Sequence, residues 1–208
     1  MYVKYYGHAC FSVWDNAKKI VIDPFGDIGY KQEQVQADFC LCTHFHYDHH
    51  STQAVNAKIV VDDNNMISEN WLSAIDSYHD EVDGQKRGKN TIYKILCDGM
   101  TVCHMGDIGM PISQDLVSKI GAVDILMIPI GGNYTIDAEQ AKEYVLAIKP
   151  KIVIPMHYKT KRSDIDIDEK GQFLSYFSNV QKCPREFEIS KKDLSNSMLV
   201  LDLDDSSF

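Results

Sequence analysis

No stretch of the 208-residue chain approaches the roughly 20 consecutive apolar residues that span a bilayer, which argues against a membrane protein. The opening residues, Met1-Tyr2-Val3-Lys4-Tyr5-Tyr6-Gly7-His8, lack the basic start and apolar run of a secretory signal. The six cysteines (Cys10, Cys40, Cys42, Cys97, Cys103 and Cys183) form no C-x-x-C pair, and several lie in apolar runs where cysteine acts as a small hydrophobe. These absences predict a cytoplasmic, reduced protein with no membrane partner. Positive charge is also scarce: 21 Lys and Arg face 30 Asp and Glu, for a formal net charge of -9. That balance argues against DNA or RNA as the main partner, yet leaves room for a small anionic substrate held near metal ions. Neither G-x-G-x-x-G nor G-x-x-x-x-G-K-[ST] occurs, so nothing supports a nucleotide-binding fold. There is no repeat, linker or low-complexity tract, and residues 1–208 are expected to form a single domain with a substantial core.

What the chain does have is Thr43-His44-Phe45-His46-Tyr47-Asp48-His49-His50, four imidazoles and one carboxylate within eight residues. It follows the apolar run Phe39-Cys40-Leu41-Cys42. If the run stays extended, His44 and His46 share a face, and a turn at Tyr47 swings Asp48 and His49 towards a second position. Imidazole nitrogens and carboxylate oxygens suit divalent ions, zinc first and manganese or iron as alternatives. A histidine-rich surface loop is the plainer alternative.

Strand patterns are expected at residues 2–6, 10–14 and 19–22, with a hairpin turn at Asp15-Asn16 and a stop at Asp23-Pro24-Phe25-Gly26. Residues 27–36 read as a polar loop. A short helix capped by Ser51 is expected over residues 51–57, followed by a strand at 58–61. Residues 62–71 show no clear pattern, and residues 72–78 read as a strand leading to His79. Asp98-Gly99 marks a hairpin between strands at 91–96 and 101–105. Residues 113–120 read as helix, and the apolar run at 125–128 as a strand buried on both faces. Thr135 or Asp137 can cap a helix that runs to Ile148, and Ile152-Val153-Ile154 leads to Pro155-Met156-His157. A helix over 167–180 and strands at 186–189 and 198–203 complete the pattern, a mixed α/β layered architecture.

Asp23, His79, Asp107 and His157 each follow a strand-like run, and residues at strand ends can converge along one sheet edge. With the opening motif, this set resembles the metallo-β-lactamase superfamily, whose pattern is an early Asp, H-x-H-x-D-H, a His, an Asp and a late His. Gly7-His8-Ala9-Cys10-Phe11, His104-Met105-Gly106-Asp107, Pro129-Ile130-Gly131-Gly132 and Ile154-Pro155-Met156-His157-Tyr158 resemble a branch of small bacterial metal-dependent hydrolases similar to ascorbate-6-phosphate lactonase. The resemblance implies a four-layer αβ/βα sandwich with two divalent metal ions at the sheets' shared edge. It assigns His44, His46 and His79 to one metal, Asp48, His49 and His157 to the other, and Asp107 to both. Asp23 would fix ligands by hydrogen bonds. The implied reaction is attack by a metal-activated water on an ester, lactone or phosphodiester, with Asp48 orienting that water or taking its proton.

His8 is expected to line or support the site, and His104 to support it or donate a proton; each also has a plain structural reading. His50 is expected to be exposed. Lys159, Lys161 and Arg162 can meet a carboxylate or phosphate, though a solvated loop with ordinary charges is the plainer reading, and Lys86, Arg87 and Lys89 read as surface. Gly131-Gly132-Asn133-Tyr134 reads as a tight turn before the helix. Competing functions are a nuclease, disfavoured by the acidic balance, and a diiron oxidoreductase, disfavoured by His46 and the short chain. A regulatory module that binds metal or ligand without turnover is the competitor from another class.

Overall fold

The computed structural model describes residues 1–30, 33–63 and 69–206. Residues 64–68 of the unpatterned 62–71 segment and residues 31–32 of the expected loop lie outside the described residues. In chain order the strands are β1 (Tyr2–Gly7), β2 (Cys10–Trp14), β3 (Lys19–Ile22), β4 (Val35–Leu41), β5 (Val55–Val61), β6 (Leu72–Tyr78), β7 (Lys89–Cys97), β8 (Met100–His104), β9 (Ile125–Pro129), β10 (Ile152–Met156), β11 (Val180–Cys183), β12 (Glu186–Glu188) and β13 (Leu199–Leu203). The helices are α1 (Gln114–Ile120), α2 (Ala138–Ile148) and α3 (Gly171–Ser175).

Two mixed sheets result, one ordered β12-β1-β2-β3-β4-β5 and the other β11-β13-β10-β9-β8-β7-β6. Alternation along the first sheet divides its faces. Tyr5, Phe11, Val13, Ile20, Ile22 and Leu41 point into one core shared with Ile92, Val102, Leu126, Val153 and other residues of the second sheet. Each such side chain, once buried, contributes about 1.5–3 kcal/mol. The residues between them, Tyr6, Cys10, Val21, Cys40 and Cys42, face outward and are covered by Phe25, Ile28, Tyr30, Ile165 and Ile167. This is the α/β sandwich of the metallo-β-lactamase fold, with α2 on the second sheet burying Ala141, Tyr144, Val145 and Ile148. All six cysteines are free thiols and five of them are buried, as expected of small hydrophobes. Among the described residues no helix is long and apolar enough to cross a membrane.

Several local patterns act as their chemistry dictates. Asp98 and Gly99 both take positive φ, the conformation of a two-residue hairpin turn. Asp137 caps α2 by accepting from Glu139 and Gln140 N–H, while Gln140 reaches back to its backbone, a reciprocal capping box.

Three expectations are corrected. Residues 51–57 are not a helix: a single 3₁₀ turn at Thr52–Ala54 gives way to β5 at Val55, and Ser51 makes no side-chain cap, its hydroxyl donating instead to Tyr47 O. The helix expected over 167–180 shrinks to the five residues of α3, because Val180 starts a parallel strand beside β13. That strand, β11, has no apolar alternation and so leaves no pattern to read. Finally, β4 ends at Leu41, so His44 and His46 come together through an irregular loop and not through strand alternation.

Candidate metal centre

The cluster assembles at the carboxyl ends of strands, where open α/β sheets place their sites. Asp23 follows β3, the His44–His49 loop follows β4, His79 follows β6, Asp107 follows β8 and His157 follows β10. Asp107 stands at the centre. Its Oδ2 lies 3.0 Å from His157 Nε2, 3.1 Å from His49 Nε2, 3.2 Å from His79 Nε2 and 3.9 Å from His44 Nε2. Ligand atoms of His44, His46 and His79 lie within 4.8 Å of one another, and so do those of His8, Asp48, His49 and His157.

A carboxylate oxygen cannot accept hydrogen bonds from four imidazoles at once. His49 Nε2 is near Asp107 Oδ2 yet buried without a hydrogen-bond partner, and His44 Nε2 and Asp107 Oδ1 are likewise unpartnered. Buried nitrogen and oxygen donors without protons to share are what divalent cations require, so the residues present fit metal ions.

The ring orientations are set from behind. Asp23, fully buried, accepts from Thr43 N–H and from the Thr43 hydroxyl, each at 2.8 Å, and from His49 Nδ1 at 2.9 Å. With its proton given to Asp23, the Thr43 hydroxyl can only accept from His44 Nδ1, 2.9 Å away. Both rings therefore turn Nε2 inward. Asp107 is held by its own N–H, which donates to Asn90 Oδ1 at 2.9 Å, while Asn90 Nδ2 donates to Ser77 Oγ and Met105 O. Gly106, at φ 55°, has no room for a Cβ: it would collide with Asn90 Oδ1 and lie 2.8 Å from Thr43 Cβ.

Charge follows geometry. Burial would raise the Asp107 carboxyl pKa, but His157 and His49 hold it well below the ordinary range. Asp48 is similarly opposed by burial and still pulled down by His49 and by its contact with His8. Burial pushes His44 well below its usual value, which favours the neutral ring a ligand needs. Burial would also lower His49, but the surrounding carboxylates of Asp107, Asp23 and Asp48 outweigh it and push that ring well above its usual value. His8 falls to about 4, first through burial and then through His157.

Other expected residues are placed as follows. His8 is buried at positive φ, with Nε2 3.2 Å from Asp48 Oδ2 and its ring centroid 4.1 Å from that of His157. His104 has both ring nitrogens engaged by backbone: Nδ1 accepts from Gly106 N–H at 3.2 Å, so Nε2 donates to Ala9 O at 2.9 Å. His50 is half-buried, not exposed, because its Nε2 meets Asp62 at 3.1 Å. Lys159 Nζ donates to Ile165 O and pins a loop, whereas Lys161 and Arg162 are exposed and do not line the site. Gly131 packs against the His157 carbonyl, and Gly132 turns at φ 63°, as a tight turn requires. Thr43, Asn90, Asp80 and Arg87 escaped the sequence reading. Thr43 and Asp80 have as their signal adjacency to the candidate ligands His44 and His79, Arg87 is one charge in a surface-like run, and Asn90 has no local signal.

A cavity of about 470 Å³ opens over the cluster, lined by His46, Tyr47, Asp48, His79, Arg87, Asp107, Tyr134, Asp164, Ile165 and Asp166. The fold and this cluster define a class, and comparison with known proteins agrees. A β-lactamase superfamily domain matches residues 2–157. The chain is 32% identical over 190 residues to the UPF0173 metal-dependent hydrolase of Thermococcus kodakarensis, across 76% of this chain and 84% of that one. It is 31% identical over 195 residues to the corresponding hydrolase of Pelotomaculum thermopropionicum, across 77% and 85%. The crystal structure of a Thermotoga maritima protein, provisionally described as a Zn-dependent hydrolase of the metallo-β-lactamase superfamily, superposes with a TM-score of 0.79 at 30% identity, covering 98% of this chain and 99% of that one. An isothiocyanate hydrolase from Delia radicum gut bacteria, at 14% identity, TM-score 0.61 and coverage of 85% and 91%, shares the fold. The chain belongs to the metallo-β-lactamase superfamily, as one of its metal-dependent hydrolases.

Proposed function

We propose that the cluster holds two divalent ions and hydrolyses a small ester, lactone or phosphodiester. His44, His46 and His79 would hold one ion, Asp48, His49 and His157 the second, and Asp107 both. The observation that carries this reading is the convergence of four imidazole nitrogens on Asp107 Oδ2, with ligand atoms of the two histidine groups on either side. When bound, such ions supply an activated water and polarise the substrate oxygen. Zinc suits the donor set first, with manganese and iron as alternatives.

The chain's own residues do the rest. Asp48 lines the cavity with its Oδ2 steadied by His8, so it can orient the attacking water; the neighbours that hold its carboxyl pKa down weaken it as the group that takes the proton. Asp23 and Thr43 keep His49 and His44 in the tautomers that present Nε2. His104, spent on Ala9 and Gly106, positions the turn that delivers Asp107 and transfers no proton. A cavity of this size suits a small molecule, and the net charge of -9 disfavours a nucleic acid.

The test is elemental analysis of the purified protein together with a panel of chromogenic phosphodiesters, phosphomonoesters, lactones and thioesters. Two equivalents of metal per chain and chelator-sensitive turnover of one class are expected. Two equivalents with no turnover would keep the site and leave the substrate class to be found, whereas no tightly bound metal would favour the binding module instead.

A further inference from the structure

The loop between β6 and β7 is built to a degree that closing a hairpin does not require. Asp80, directly after His79 and 1% exposed, gathers four backbone donors. Its Oδ1 accepts from Val82 N–H at 3.0 Å and Gly84 N–H at 2.8 Å, and its Oδ2 from Lys86 N–H at 2.9 Å and Arg87 N–H at 2.7 Å. The loop is thereby shaped before any ligand arrives. Its product is the placement of Arg87.

Arg87 Nη2 donates to Asn133 O at 3.0 Å, and the guanidinium lies 5.5 Å from the Tyr134 ring centroid. Asn133, at φ 55°, donates from Nδ2 to Asp166 O at 2.8 Å. Three loops from distant parts of the chain are thus tied into one wall of the cavity. Among the described residues lining that cavity, Arg87 alone carries a permanent positive charge, whereas Asp164 and Asp166 line it as well. Neither carboxylate, nor any other among the described residues, pairs with the guanidinium. An arginine has five N–H donors in a planar fork, and the fold occupies one.

We propose that Arg87 determines specificity by binding an anionic substituent, carboxylate or phosphate, on the part of the substrate that is not hydrolysed. This rests on the hydrolase reading of the site. The acidic neighbours sharpen the choice: apart from the metal centre, they leave an anion one favourable place in the cavity. Holding the guanidinium on Asn133 and Tyr134 in advance lowers the ordering cost of binding. Asp80 acts through Arg87 and is a positioning residue.

The experiment compares 4-nitrophenyl acetate with 4-nitrophenyl esters whose acyl chain ends in a carboxylate or in a phosphonate, using the metal-loaded protein. A charged ester is expected to exceed the neutral one in kcat/KM by about 10- to 100-fold, the range of a charge-assisted hydrogen bond, mainly through KM. The larger of the two preferences identifies the anion. Arg87→Met should bring the charged-to-neutral ratio near one, Arg87→Lys should restore part of it, and Asp80→Asn should raise KM for the charged ester more than for the neutral one. No preference in the wild type, or a ratio unchanged in Arg87→Met, would overturn the proposal. Binding of glutarate and of methylphosphonate, measured by calorimetry on the same proteins, decides the matter even if no ester turns over. Affinity weakened about 10-fold or more in Arg87→Met supports the assignment while the hydrolase reading alone falls, and equal affinity overturns it.

Discussion

The carboxylate of Asp23 lies 2.9 Å from Nδ1 of His49, and both side chains are fully buried. A buried charge in that position serves the ring it touches and, through Thr43, the neighbouring ring of His44. Asp23→Asn keeps the shape but offers an amide where an acceptor is needed. The expected result is a folded protein with about 10- to 100-fold weaker metal affinity, read by competition against a chromogenic chelator. Unchanged affinity would mean that the tautomers are set elsewhere.

Asp107→Ala removes the carboxylate on which four imidazoles converge. Metal content by elemental analysis should fall below two equivalents per chain, and chelator-sensitive turnover should fall with it. Full occupancy with near-full activity would refute the shared-ligand assignment.

Gly106→Ala places a methyl group against Asn90 Oδ1 and Thr43 Cβ, both parts of the scaffold around Asp107. Overpacking of this kind costs about 1–3 kcal/mol. Denaturant titration should show a lower midpoint with an unchanged slope.

Asp15 joins the two sheets away from the metal centre. It closes the turn between β2 and β3 by accepting from Ala17 and Lys18 N–H, and it also meets Cys97 Sγ and Asp98 N–H on the β7–β8 turn. Burial would raise its pKa, but the Ala17 and Lys18 donors outweigh it and hold the carboxyl down to about 2. A folded-state pKa below the unfolded value of roughly 3.9 means stability that is present above pH 4 and lost as the pH falls towards 2. Wild type should therefore exceed Asp15→Asn in urea stability at pH 7, and the gap should shrink by pH 2.5. A gap independent of pH would rule out the ionised carboxylate as its source.

The parts of this protein legible in its sequence are those whose cause is local. β9 and β10 announce themselves as continuous apolar runs, Asp137 with Gln140 as a cap, and Asp98-Gly99 as a turn. The ligand-type residues were legible because imidazoles and carboxylates at strand ends have few other uses. The remainder depends on contacts between distant segments. β11, reading Val180-Gln181-Lys182-Cys183, is a strand only because β13 lies beside it. Thr43 matters because Asp23 accepts its proton, and Arg87 because Asp80, Asn133 and Tyr134 turn a surface-like charge into the cavity wall. No spacing rule reports such relations.

Ile165 belongs to two structures at once: it lines the cavity, and it packs with Phe25, Ile28 and Tyr30 over the outer face of the first sheet. Its carbonyl is pinned by Lys159, and Asp164 N–H is tied to Ile28 O. Diversification of this protein is therefore constrained. A lineage that reshapes the 163–167 segment for a different molecule also disturbs the cover of a sheet, and must first acquire compensating changes around Phe25–Tyr30. Laboratory evolution towards new substrates should accumulate paired substitutions in these two segments.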